Sequence, residues 1–388
     1  MRRRREVAII GIGQTRVGEH WDKSIKQLAA EAILAALKDA KIDRVDTLYV
    51  GNALSGELAF QEHLGAAIAD FAGLRPIEAL KVEAAGASGA AALRLGYLAV
   101  AGGLADFVLV CGVEKVTDSP AEKVISALSL SIDGEYEREM GLSFVALNAL
   151  IMRRYMHEFG YELKDFANFS VNAHKNAVNN PHAMFRNPIT EKAFVEARMV
   201  VEPINLLDSS PVADGAAALV LCPMDMARDF SARPVRIASS VVATDTLALH
   251  DRKDPLFLEA AYLSAKRAYE IAGIKPEDID LFELNDSFTI MAALSLEAAG
   301  FAEKGKGVKL AMDGEIAIDG RIPISTMGGL KARGNPLGAT GVYQVAEAVL
   351  QLRYEAGPNQ VKDAHWALVQ SIGGTGGTAV THILEGPD

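Results

Sequence analysis

Two hydrophobic periods alternate along the chain. Short, nearly continuous apolar runs read as buried strands, and stretches with Ala and Leu recurring every three or four positions read as helices. Val7 to Gly13, Asp46 to Asn52, Glu78 to Glu83, Phe107 to Cys111, Asp214 to Leu221, Ile279 to Asn285 and His365 to Ser371 are the extended runs. Helices are predicted from Ser24 to Ala40, over Ala87 to Ala101, over Leu256 to Ala272 and over Val342 to Leu352. Ser24 with Gln27 is a capping box that opens the first of these. Strands this apolar, separated by amphipathic helices, predict sheets covered on both faces.

The layout occurs twice. A helix, a short turn, a strand ending in Asn, a Gly-rich elbow, an Ala-rich helix and a further strand run from Ser24 to Cys111, and again from Leu256 to Ser371. The strand-exit asparagines are Asn52 and Asn285; the elbows are Gly86 and the run Gly334 to Gly341. Two copies predict a pseudo-two-fold α/β body whose strand exits and helix N-termini converge on one crevice. Residues 1–113 with 208–234 form the expected first half and residues 235–388 the second. Residues 114–207, more polar, read as an excursion from the first half serving as a substrate lid or an oligomer contact.

Composition narrows the function class. The net charge is −11 and no basic stripe is interleaved with aromatics, so a nucleic-acid partner is not expected. The basic cluster Arg2 to Arg5 lacks an apolar segment of signal-peptide type and reads as a solvated end. No apolar run reaches the ~18–20 residues a bilayer span requires, and no membrane contact is expected. The two cysteines, Cys111 and Cys222, sit in Val/Leu-rich runs and read as buried free thiols of a reducing, cytoplasmic compartment. Gly11 to Gly13 lacks the third glycine and the following helix of a dinucleotide fingerprint, so it reads as a strand exit. His174 and His182 are not at metal-ligand spacing with any Cys or carboxylate pair, and no metal is expected.

The elbow Lys81 to Gly89 is the stretch on which the chemistry turns. Small residues there let backbone N–H groups at a helix N-terminus face a ligand, and a reactive side chain is expected at the apex. The apex is Gly86. Ser88, two residues on, reads as a structural residue of the helix's first turn.

Six stretches in order resemble the thiolase superfamily, of the archaeal and sterol-carrier-protein type, across essentially the whole chain. They are Val82 to Gly89, Gly112 to Lys115, Asp214 to Ala218, Glu283 to Phe288, Gly328 to Gly341 and Ile372 to Gly377. The resemblance implies a five-layered α-β-α-β-α body of two pseudo-two-fold-related halves with an inserted loop domain. It implies an acyl-CoA thioester as substrate and no covalently bound cofactor. A homodimer or tetramer is implied, dimerising through an edge strand at Phe107 to Val113, and so is a small OB-fold, zinc-ribbon partner protein.

In thiolases the elbow carries a nucleophilic cysteine, a Gly-His-Pro histidine activates it, an Asn or His holds a water, and a second cysteine moves protons. Here these positions hold Gly86, Asn335, Asn285 and either Ser371 or Ser287. Glycine cannot form an acyl-enzyme, and Asn335 cannot take a proton from a thiol but can donate to a carbonyl oxygen. Asn285, Asn335 and the backbone N–H groups of Gly86 and Gly374 would retain an oxyanion hole without a nucleophile. Asp286 is the first candidate for the general base, with Glu283 the other nearby carboxylate. Arg153, Arg154 and His157 are candidates to approach a phosphate of CoA, and Lys331 and Arg333 to steer the anionic cofactor; a solvated helix face and ordinary rim cations explain them equally well.

The leading expectation is a thiolase-like, acyltransferase-family enzyme that makes or breaks a C–C bond beside the thioester carbonyl without a Cys acyl-enzyme. One alternative is a retro-aldolase on a β-hydroxyacyl-CoA, although the tyrosines that thiolase-like steroid side-chain aldolases use at the loop and elbow positions are absent. The other is a catalytically silent subunit that binds CoA or scaffolds a complex.

Overall fold

The computed structural model describes residues 5–387. Arg2, Arg3 and Arg4 of the basic cluster lie outside the described residues; Arg5 pairs with Asp106 at 2.7 Å. Among the described residues eleven strands form: β1 (Val7–Gln14), β2 (Thr47–Gly51), β3 (Glu78–Val82), β4 (Val108–Glu114), β5 (Met199–Val201), β6 (Ile204–Asn205), β7 (Gly215–Pro223), β8 (Val235–Thr244), β9 (Leu281–Glu283), β10 (Trp366–Gly373) and β11 (Thr378–Glu385). β5 and β6 pair by themselves, and the other nine form one ladder in the order β3-β2-β4-β7-β1-β8-β11-β10-β9.

The predicted repeat is visible in that order. β2 runs parallel to β3 and β4, while β4–β7 and β7–β1 are antiparallel. In the second half β9 is parallel to β10, and β10–β11 and β11–β8 are antiparallel. A parallel bridge from Phe282 to Ile324 stands where β3 stands in the first half. The halves join edge to edge through two residue pairs of β1 and β8, Ala8 with Arg236 and Ile9 with Val235.

Strand alternation sorts side chains into layers. In β4, Val108 and Val110 point to a central core that also holds Leu93, Tyr97 and Val100 of the helix Ser88–Gly102 and Val342, Val345 and Val349 of the helix Thr340–Leu352. Leu109, Cys111 and Val113 point the other way, against Leu28, Ile33 and Ala36 of the outer helix Ile25–Ala40. The helix Glu259–Ala272 covers the second half in the same manner, with Ala261 and Ala265 in one core with Leu368 and Ile383. Five layers result, α-β-α-β-α, as expected.

The two central helices approach closely at their N-termini. A β-carbon on Gly89 would come within 2.6 Å of the Gly338 carbonyl oxygen, and one on Gly341 within 2.6 Å of the Ala90 nitrogen. Only glycine fits there. That contact brings the two elbows face to face.

One expectation changes. Phe107 to Val113 is no edge: β4 is hydrogen-bonded on one side to β2 and on the other to β7. The outer strand of the first half is β3, whose Leu80 is exposed. The inserted region packs on both halves: Val116, Val124 and Ala127 cluster with Leu54 and Leu58 of the first. Ile151, Met152, Tyr155, Phe166 and Phe169 share one buried core with Leu258, Ala261, Phe282 and Leu296.

Candidate functional site

Both elbows open onto one cavity of about 230 Å³. Its wall takes Ala53 and Leu54 from the exit of β2, Glu83 to Gly86 less Ala84 from the first elbow, and Asn285 and Ser287 from the exit of β9. Asn335 and Leu337 come from the second elbow, Ile372 and Gly374 from the end of β10, and Ala127, Leu128, Leu130, Ser131 and Phe144 from the inserted region. Five of the seven residues expected at the reaction centre therefore meet on one wall: Gly86, Asn285, Ser287, Asn335 and Gly374.

The first elbow is held under strain. Ala85 has φ 50°, a left-handed conformation that costs a non-glycine residue energy. Ser88 pins it, its hydroxyl donating to the Ala85 carbonyl at 2.6 Å and accepting from the Ala84 N–H at 2.9 Å. This is the structural role expected of Ser88. A β-carbon on Gly86 would lie 2.8 Å from the carbonyl oxygen of Ile372, so the turn has closed to a distance that suits glycine.

The amides are oriented by their neighbours. Thr340 donates to Oδ1 of Asn335 at 2.7 Å, which turns Nδ2 toward Ser210 Oγ at 3.1 Å and leaves that amide a second N–H. Asn285 Oδ1 accepts from the Ser287 N–H at 3.2 Å, while its Nδ2 makes no hydrogen bond among the described residues. Ser287 Oγ is likewise without a hydrogen bond among them. The cavity thus holds unspent donors beside the elbow.

Beneath this wall, Glu114 organises the floor. It is fully buried and accepts from Asn52 Nδ2 at 2.8 Å and from the N–H groups of Ala53, Leu54 and Gly338 at 3.0 Å each. Burial pushes its carboxyl up to about 7, and the backbone donors restrain that rise. One carboxylate so ties the β2 exit to the second elbow.

Other expected site residues lie elsewhere. Asp286, first candidate for a base, is buried and does not line the cavity. Its Oδ1 accepts from the Leu330 N–H at 2.7 Å and its Oδ2 from Ser325 Oγ at 3.0 Å, so both oxygens are spent on loop structure. Desolvation raises its pKa and Lys331 opposes the rise. Glu283 is similarly committed to Thr326, at 2.9 Å to its N–H and 2.5 Å to its hydroxyl. Ser371 is fully buried and donates to Gln344 Oε1 at 2.7 Å.

Lys331 and Arg333 cannot reach a cofactor in solvent. Their relative exposures are 2% and 0%. Lys331 Nζ donates to the Asp208 carbonyl, and burial lowers its pKa. Arg333 Nε stands 2.9 Å from Glu347, with the guanidinium over the Tyr343 ring at 4.9 Å. The helix Ala167–Ala177 lies on this loop, with Ala173 and Ala177 packed on Ala332. Arg153, Arg154 and His157 are on the exposed face of the helix Phe144–Phe159, off the cavity wall, with Arg154 paired to Glu158 at 3.0 Å.

Neither thiol reaches the site. Cys111 and Cys222 are buried and free, and desolvation pushes both up to about 12. No cluster of three or more metal-capable side chains occurs among the described residues. No helix of the described residues is long and apolar enough to cross a membrane.

Glu83 lies within the Val82 to Gly89 stretch, yet no role is expected for it from the sequence. It is exposed and is the one titratable side chain on the cavity wall among the described residues. Read along the strand, it looks like a solvated end of β3. The internal repeat held the signal: Glu83 precedes the helix beginning at Ser88 by as many residues as Asn335 precedes the helix beginning at Thr340.

The comparisons agree with this architecture. Residues 7–225 match the family described as "Thiolase, N-terminal domain", and residues 241–386 that described as "Thiolase C-terminal domain-like". The chain is 47% identical to an acetyl-CoA acetyltransferase of Methanothermobacter thermautotrophicus, over 98% of this chain and all of that one. It is 33% identical to the benzoylsuccinyl-CoA thiolase subunit BbsB of Thauera aromatica, over 97% and 96% of the two chains. Among solved structures, the Ltp2-ChsH2(DUF35) aldolase superposes with a TM-score of 0.85 at 29% identity, covering 98% of this chain and 97% of that one. With both halves matched, and with the doubled sheet and paired elbows in place, the chain belongs to the thiolase family.

Proposed function

We propose that this thiolase-family site makes or breaks a carbon–carbon bond next to the carbonyl of an acyl-CoA thioester by enolate chemistry, with no acyl-enzyme. The observation that carries the reading is the cavity wall itself: amide and hydroxyl donors at Asn285, Asn335 and Ser287 surround a glycine, and both thiols are buried away from it. Donors fixed where negative charge develops stabilise an enolate oxygen, and each is worth about 2.7–4 kcal/mol of barrier. An aldol-type cleavage of a β-hydroxyacyl-CoA needs those donors and a base, but no nucleophile. The likeness to a solved aldolase supports this direction over ordinary thiolysis. The acetyltransferase and thiolase relatives support the acyl-CoA substrate class.

Two assembly proposals accompany it. The name of the solved aldolase pairs it with a DUF35 protein, which supports a small partner chain for this protein too. The homodimer expected from the family resemblance is assigned to β3, the outer strand of the first half, in place of β4.

The test is to incubate the protein with short β-hydroxyacyl-CoA thioesters and follow the products by chromatography. A shortened acyl-CoA appearing with an equimolar aldehyde or ketone supports the reading. In parallel samples with a β-ketoacyl-CoA and free CoA, consumption of CoA to give two shorter acyl-CoA products returns the protein to thiolysis, and tight CoA binding with no product from either substrate points to the silent subunit.

A further inference from the structure

We infer that Glu83 is the catalytic base, shuttling one proton between the substrate's β-oxygen and its α-carbon. The inference rests on the enolate reading above and supplies the group that reading lacks. Enolate chemistry beside a thioester needs a side chain that takes a proton at one step and returns it at another. Among the described residues, Glu83 alone brings such a group to the cavity wall. The carboxylates nearest in sequence to the expected site, Glu283 and Asp286, are buried and spent on the 325–330 loop. Glu114 is equally committed to its four donors.

The geometry of Glu83 suits a base. Oε1 accepts from the Ala85 N–H at 2.5 Å, which fixes the carboxylate against the strained turn one residue before Gly86. Oε2 accepts no hydrogen bond among the described residues. The pseudo-two-fold sets Glu83 opposite Asn335, so a proton acceptor and an oxyanion donor enter the cavity from equivalent places on the two elbows.

The step balances with one proton. In the cleavage direction Glu83 removes the β-hydroxyl proton, and the C2–C3 bond breaks as C3 becomes a carbonyl. The electron pair passes to the thioester oxygen, held by Asn285 and Asn335, as an enolate. The carbonyl product departs, and protonated Glu83 returns the same proton to C2. No oxidant, reductant or water is consumed.

A rival role for Glu83 is purely structural, as the acceptor that caps Ala85. Glu83→Gln separates the two, because the glutamine oxygen still accepts from the Ala85 N–H but the amide cannot take a proton. The full chain would be incubated in D₂O with acetyl-, propionyl- and butyryl-CoA, and deuterium uptake at the α-carbon followed by NMR. CoA affinity and thermal stability would be measured on the same samples. The inference expects exchange by the wild type and a loss of 10²-fold or more in Glu83→Gln, on the scale typical of general bases. CoA binding and stability should be unchanged, and Glu83→Asp should exchange at an intermediate rate with an altered pH profile. Wild-type exchange retained by Glu83→Gln would overturn Glu83 as the base and leave the enolate reading standing. Absence of exchange in the wild type, with CoA bound, would overturn both.

Discussion

Gly86 and the carbonyl oxygen of Ile372 are so placed that a β-carbon on the glycine would stand 2.8 Å from that oxygen. This is closer than a carbon and a backbone oxygen pack, so the end of β10 would have to yield. Gly86→Ala is expected to lower stability by about 1–3 kcal/mol, the usual penalty of overpacking, as read by chemical denaturation. Gly86→Cys should carry the same penalty, read the same way.

Asn285 lines the cavity in a different state: its Oδ1 is engaged by the Ser287 N–H while Nδ2 makes no hydrogen bond among the described residues. Asn285→Ala should therefore lower kcat by about 10²–10³-fold and change CoA affinity little. Steady-state kinetics with isothermal titration check this. An effect confined to KM would assign Asn285 to ground-state binding.

Arg333 and Glu347 form a fully buried ion pair. Removing the cation strands a carboxylate that burial already pushes up to about 8. Arg333→Met is expected to cost about 3–5 kcal/mol of stability, with no change in the salt dependence of CoA binding by the folded protein. A weakened salt dependence would restore the steering role expected from the sequence.

Glu114 supplies a pH dependence whose sign is fixed by its raised carboxyl, about 7 in the fold against an ordinary 4.5. Below about pH 4.5 both states hold the proton and the group contributes nothing. Between about pH 4.5 and 7 the unfolded chain releases its proton first, so stability falls as pH rises, and above pH 7 the penalty is complete. Glu283, also pushed up to about 7, adds in the same direction. The melting temperature of the wild type should fall across this window, and Glu114→Gln should flatten the slope.

Much of this architecture is legible in the residues because it rests on periodicity. The capping box at Ser24, the run Phe107 to Cys111 and the doubled elbow each specify a local element, and each forms where expected. What periodicity does not carry is lateral order. Nothing within Phe107 to Val113 says that β7, a hundred residues later, fills its second edge. Lys331 and Arg333 look like rim cations because the helix that buries them, Ala167–Ala177, arrives from the inserted region. Asp286 stands next to a site residue in sequence, but its oxygens turn into the 325–330 loop. Glu83 was hidden by its strand-end position and becomes evident only when the second elbow is laid on the first.

The central claim, C–C chemistry without an acyl-enzyme, is tested most directly by the intact mass of the protein during turnover. The chain would be quenched while converting a β-hydroxyacyl-CoA and weighed by mass spectrometry beside its products. The account predicts the unmodified mass at every time point while shortened acyl-CoA accumulates. A mass increased by one acyl group, kinetically competent for product formation, would contradict it.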